Sequence, residues 1–78
     1  MEKLGKFLSS LTKSELLKLK EELNLTDDEE LVFNELSKGR SLVATSDKCM
    51  VSQATISTRV RTIQYKLQKV KKYYTIEN

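Results

Sequence analysis

The chain has no proline, no tryptophan and no histidine. It has two glycines (Gly5 and Gly39), one cysteine (Cys49) and 6% aromatic residues among 78. Without histidine, the usual general base and the commonest metal ligand are missing. No catalytic constellation can be assembled from the remaining residues. The expectation is a protein that is not an enzyme and that holds no metal and no cofactor. One cysteine cannot build an internal disulfide framework, which makes a cytoplasmic location the expectation. No apolar run approaches the ~18 residues of a membrane-spanning helix. The opening MEKLGKFLSS lacks the unbroken apolar segment of a secretory signal.

Lysine, leucine and glutamate fill the space these absences leave. Hydrophobic residues make up 38% and charged residues 32%. No stretch alternates apolar and polar residues for long, and the chain reads as all-α, a single helical domain over 1–78. A chain of this size buries only about 60% of its unfolded surface, so its core must be small.

Charge is unevenly placed. Residues 1–51 carry eight Lys/Arg against ten Asp/Glu. Residues 52–78 carry Arg59, Arg61, Lys66, Lys69, Lys71 and Lys72 against Glu77 alone. A basic final third on a nearly neutral body points to a polyanion such as nucleic acid. A solvated helix face would show the same composition, so charge alone does not decide it.

Cap residues divide the chain. Leu4, Phe7, Leu8 and Leu11 are spaced for one face of a first short helix. Thr12-Lys13-Ser14-Glu15 has the form of a capping box, in which the Thr hydroxyl and the Glu carboxylate each satisfy an exposed backbone N–H. It opens a helix carrying Leu16, Leu17, Leu19 and Leu23 and ending near Asn24. Thr26-Asp27-Asp28-Glu29 is a second capping box, with acids where a helix dipole favours them. Its helix carries Leu31, Val32, Phe33 and Leu36, runs to about Ser37 and is closed by Gly39. Ser41 caps a short segment to Cys49, Met50-Val51-Ser52 makes a turn, and Ser52 caps a long helix over about 53–73.

The long helix has two faces. Ile56, Val60, Ile63, Leu67, Val70 and Tyr74 all fall within about 40° of Ile56 on a wheel of 100° per residue. The first three fit ordinary core packing. Leu67, Val70 and Tyr74 must meet either the N-terminal helices or a second copy of the chain. The opposite face holds Ala54, Thr58, Arg61, Tyr65, Gln68, Lys69 and Lys72, with Ser57 at its edge. Short residues allow close approach to a major groove, arginine bonds guanine bidentately, and lysines meet phosphate.

A helix, a short helix, a three-residue turn and a longer basic helix follow the helix-turn-helix plan. The run from Leu25-Thr26-Asp27-Asp28-Glu29 through Gly39 and Ser41, then Val51-Ser52-Gln53-Ala54-Thr55-Ile56-Ser57-Thr58-Arg59 through Ile63 and Lys66-Leu67, resembles the LuxR-type helix-turn-helix. It is also similar to region four of bacterial sigma factors. The resemblance covers residues 25–67 and implies a helix-turn-helix three-helix core over 25–74, preceded by one or two helices in 1–24. It implies that Ser57, Thr58 and Arg61 face bases, with Gln53 and Tyr65 beside them. Ser52, Thr55, Arg59, Lys66, Lys69 and Lys72 are then expected at phosphates.

The function so implied is that of a small bacterial or phage transcriptional regulator on double-stranded DNA. Two half-sites are usual for such modules, so a homodimer is expected. Its contacts are expected from the N-terminal helices with Leu67, Val70 and Tyr74. The alternative is a protein-binding module on the same scaffold, engaging RNA polymerase or another regulator. Several positions depart from the family pattern. Ala44-Thr45-Ser46 replaces Glu-Ile-Ala, Cys49 takes a leucine position and Met50 stands where many such turns have glycine. Leu31 and Glu35 reverse the expected polarity, and the fourth helix used for dimerisation has no counterpart.

Overall fold

The computed structural model describes residues 3–72 and Tyr74. Among these residues there are five helices and no strand: α1 (Lys3–Ser9), α2 (Lys13–Leu23), α3 (Asp27–Ser37), α4 (Leu42–Cys49) and α5 (Gln53–Val70). The all-α expectation holds, with two N-terminal helices.

Four of these helices start on the caps read from the sequence. Thr12 Oγ1 accepts from Glu15 N–H at 3.2 Å while Glu15 Oε1 accepts from Thr12 N–H at 2.9 Å. Thr26 and Glu29 repeat the exchange at 3.3 and 3.0 Å. Ser41 Oγ accepts from Ala44 N–H, and Ser52 Oγ from Thr55 N–H. Each cap supplies a partner to an N–H that the helix itself leaves unpaired.

Two helices end in the same motif built from different residues. At the end of α3, Arg40 N–H reaches Glu35 O and Gly39 N–H reaches Leu36 O, with Gly39 at φ 84°. At the end of α4, Val51 N–H reaches Ser46 O and Met50 N–H reaches Asp47 O, with Met50 at φ 59°. Both are Schellman closures. The first uses the residue that adopts a left-handed backbone freely. The second forces a Cβ into it, at a cost of about 1 kcal/mol.

The core is a layer of leucine and isoleucine around Phe33. Leu4 and Leu8 of α1, Leu19 and Leu23 of α2, Val32 and Leu36 of α3, and Ile56, Val60, Ile63 and Leu67 of α5 are buried together. α1 packs on α3, while α2, α3 and α4 all pack on α5. Each fully buried Leu or Ile contributes about 1.5–3 kcal/mol relative to exposure. No helix among the described residues is long and apolar enough to cross a membrane.

The structure corrects several expectations about the core. Leu17 and Leu31 are 60% and 54% exposed. Glu35 is buried in place of a leucine, with Lys38 Nζ at 3.2 Å and Arg40 Nε at 3.8 Å to neutralise it. α5 ends at Val70, short of residue 73, which lies outside the described residues. The chain then turns, with Tyr74 N–H on Lys71 O at 3.0 Å. Tyr74 does not extend the helical stripe. It folds back on α1, its ring edge-on to Phe7 at 5.1 Å and beneath Lys3 Nζ at 5.4 Å, while its hydroxyl accepts from Gln64 Nε2. A tyrosine has both a ring to bury and a hydroxyl to satisfy, and this turn does both.

The far end of the stripe is therefore covered within one chain. Leu67 and Tyr74 are buried and Val70 packs against the same core. Of the two alternatives for these residues, packing within one chain is the one this structure contains.

Candidate nucleic-acid interface

α5 is held by its stripe and flanked by ion pairs, and these decide which cations remain on the surface. Arg59 Nη2 lies 3.6 Å from Asp28 Oδ2, and Lys66 Nζ lies 2.6 Å from Glu29 Oε1. Arg59 and Lys66 are seven residues apart, two turns along one edge of α5. Asp28 and Glu29 are neighbours in the first turn of α3. The acidic turn thus grips α5 at two levels. Lys66 also donates to Asn24 O at 3.4 Å. Lys71 completes the edge with Glu22 of α2 at 3.7 Å.

Glu29 is the centre of this grip. Burial alone would raise its pKa. The Lys66 ammonium, with the Thr26 backbone N–H and hydroxyl, outweighs burial and holds the carboxyl below the usual carboxylate range. Glu15, which has the same cap role on α2, is also lowered, first by the Thr12 backbone N–H. Glu29 therefore joins two elements: the cap of α3 and the mid-length edge of α5.

The outer face of α5 is different. Gln53, Ser57, Thr58, Arg61, Tyr65 and Lys69 are all exposed. Among the described residues, Arg61 and Lys69 make no ion pair. Thr58 turns its hydroxyl back onto Ala54 O at 3.1 Å, and Thr62 does the same onto Thr58 O at 3.2 Å. These bonds shorten the polar side chains against the helix, leaving a low surface between Gln53 and Arg61.

The residues expected at phosphates are divided. Ser52 is exposed at the start of α5, its hydroxyl 2.9 Å from that of half-buried Thr55. Lys69 is exposed on the helix and Lys72 on the turn beyond it. Arg59 is three-quarters buried beside an exposed Asp28. Lys66, expected at a phosphate, is committed to Glu29 and Asn24 instead.

Sequence reading missed three members of this surface. Thr62 lies on the outer face one turn after Thr58, a position the helical wheel could have supplied. Val43, in the first turn of α4, and Met50, in the turn before α5, are exposed apolar residues, Met50 at 89%. Its left-handed backbone follows from the turn, and its exposure from the tertiary arrangement.

Comparison with protein-family models, with curated proteins and with solved structures gave no match to this chain.

Proposed function

We propose that this chain is a small DNA-binding transcriptional regulator in which α3, α4 and α5 act as a helix-turn-helix and α5 enters the major groove. One observation carries the reading. The outer face of α5 presents amide, hydroxyl, guanidinium, phenol and ammonium groups to solvent, while the cations on its inner edge are neutralised by Asp28, Glu29 and Glu22. A solvated helix face needs no such separation. A surface that meets bases and phosphates does, because bases are read by fixed donors and phosphates by unpaired cations.

In this reading Arg61 bonds a guanine edge, and Ser57, Thr58, Gln53 and Tyr65 complete the base contacts. Ser52, Thr55, Lys69 and Lys72 hold the backbone. Arg59 is paired with Asp28 and leaves the phosphate set. Lys66 has a structural role and leaves the phosphate set. The chain measures 29 × 26 × 23 Å, less than the ~34 Å between successive half-sites on one face of DNA. One copy covers one half-site, and a specific regulator uses two.

The test is fluorescence anisotropy of the protein with random and selected duplexes at low and moderate salt. Salt-sensitive binding is expected. Arg61→Ala should cost about 1–3 kcal/mol at a selected site and little on random DNA. Absence of binding at low salt would overturn the reading and leave the protein-binding module, with RNA polymerase or another regulator as partner.

A further inference from the structure

A groove runs between α2 and α3 on a surface the DNA-binding reading does not use. Leu17 and Lys20 sit at its middle. Lys13 and Ser37 line one end, and Glu21 and Glu30 line the other. The two helices are therefore antiparallel along it. Lys20 Nζ donates to Asn34 Oδ1 at 3.0 Å and ties them together. Leu17 lies one turn before Lys20 and Leu31 one turn before Asn34, so the two large exposed leucines flank this bond.

The groove thus has Leu17 and the Asn34-bound Lys20 at its centre, a basic end and an acidic end. Among the described residues, Lys13, Glu21 and Glu30 make no ion pair. A two-fold axis through the centre would set leucine on leucine and bring each Lys13 to the partner's Glu21 and Glu30. An isologous contact must be self-complementary in this way. A uniformly charged partner would meet one favourable end and one unfavourable end.

We infer that the α2–α3 groove binds a second copy of this chain, with Leu17 at the centre and Lys13 facing the acidic end of its partner. This replaces the seam at Leu67, Val70 and Tyr74, which each chain closes internally. The contact is small, and its charged ends make it salt-sensitive.

The experiment is sedimentation equilibrium of the full chain without DNA, from about 1 µM to about 1 mM, at low and moderate salt. Its outcome is independent of whether DNA binds. Concentration-dependent dimers that weaken with salt are expected. Leu17→Lys should raise the dissociation constant about tenfold or more, the scale set by burial of one leucine side chain. Lys13→Glu should weaken association, and Lys13→Glu with Glu21→Lys should restore it. Circular dichroism establishes that each variant is folded, with Leu17→Ser as a milder second variant at that position. A chain that stays monomeric throughout overturns the inference. So does a dimer indifferent to both Leu17 variants, or one that the double reversal fails to restore. A Leu17→Lys monomer that still binds random DNA would separate the two proposals.

Discussion

The two long edges of α5 carry cations of the same kind in opposite situations. On the inner edge, Arg59, Lys66 and Lys71 each face a carboxylate of α2 or α3. On the outer face, Arg61 and Lys69 have no such partner among the described residues. Composition counts them alike. The difference is which of them a neighbouring helix can reach, and it teaches that a basic helix is not basic all round. The inner cations hold the helix in place and the outer ones give it a field.

The largest effect that would test this division lies beneath the inner edge. Leu67→Ala should cost about 3 kcal/mol of folding stability, because its side chain is fully buried within one chain. Urea unfolding at two protein concentrations checks it. A loss that depended on concentration would return Leu67 to a dimer seam.

Glu29→Gln is next, at about 2 kcal/mol near neutral pH, since it removes a charged partner from Lys66 and weakens the cap of α3. Its folded pKa is lowered, so the wild-type advantage is present above the unfolded value and is lost as pH falls through the folded one. Thermal melts of both proteins should therefore converge as the pH falls below the usual carboxylate range. Convergence on raising the pH instead would place the stabilisation elsewhere.

Two changes should raise stability. Thr45 is fully buried and its hydroxyl has no hydrogen-bond partner among the described residues. Thr45→Val should gain about 1 kcal/mol, read as a higher Tm. Met50→Gly should gain about 0.5–1 kcal/mol by relieving the left-handed backbone at a side chain that buries almost nothing. Both lie on the α4 side of the fold and should leave the contrast between the two edges of α5 untouched.

The smallest expected effect on stability belongs to the outer face. Lys69→Ala should stay within about 0.5 kcal/mol of wild type in unfolding, while lowering the salt dependence of DNA binding by about one phosphate contact. A larger stability loss would mean that the outer face is structural too.

Much of the local structure was legible beforehand. Thr12 with Glu15 and Thr26 with Glu29 announced two helix starts, because a capping box is complete within four residues. Gly39 announced a helix end for the same local reason. The stripe from Ile56 to Leu67 identified the buried face of α5, since helical periodicity is a property of the chain alone. The outer face of α5 followed from the same wheel, which is why Arg61 and Lys69 stand where they were expected.

What remained hidden depended on how helices cross. Leucines 17 and 31 look like core residues in a list and sit on the surface, because a helix turns only one arc inward and Leu16, Leu19, Val32 and Phe33 occupy it. Nothing in the order of residues joins Asp28 to Arg59 or Glu29 to Lys66. Those pairs exist only once α3 lies against α5 at one particular height. The sequence by itself determined the helices, their caps and their apolar stripes, all set by contacts within about four residues. Only the tertiary structure decided which charges are neutralised, where Tyr74 is buried and which leucines are left outside, because these depend on contacts between segments far apart in the chain.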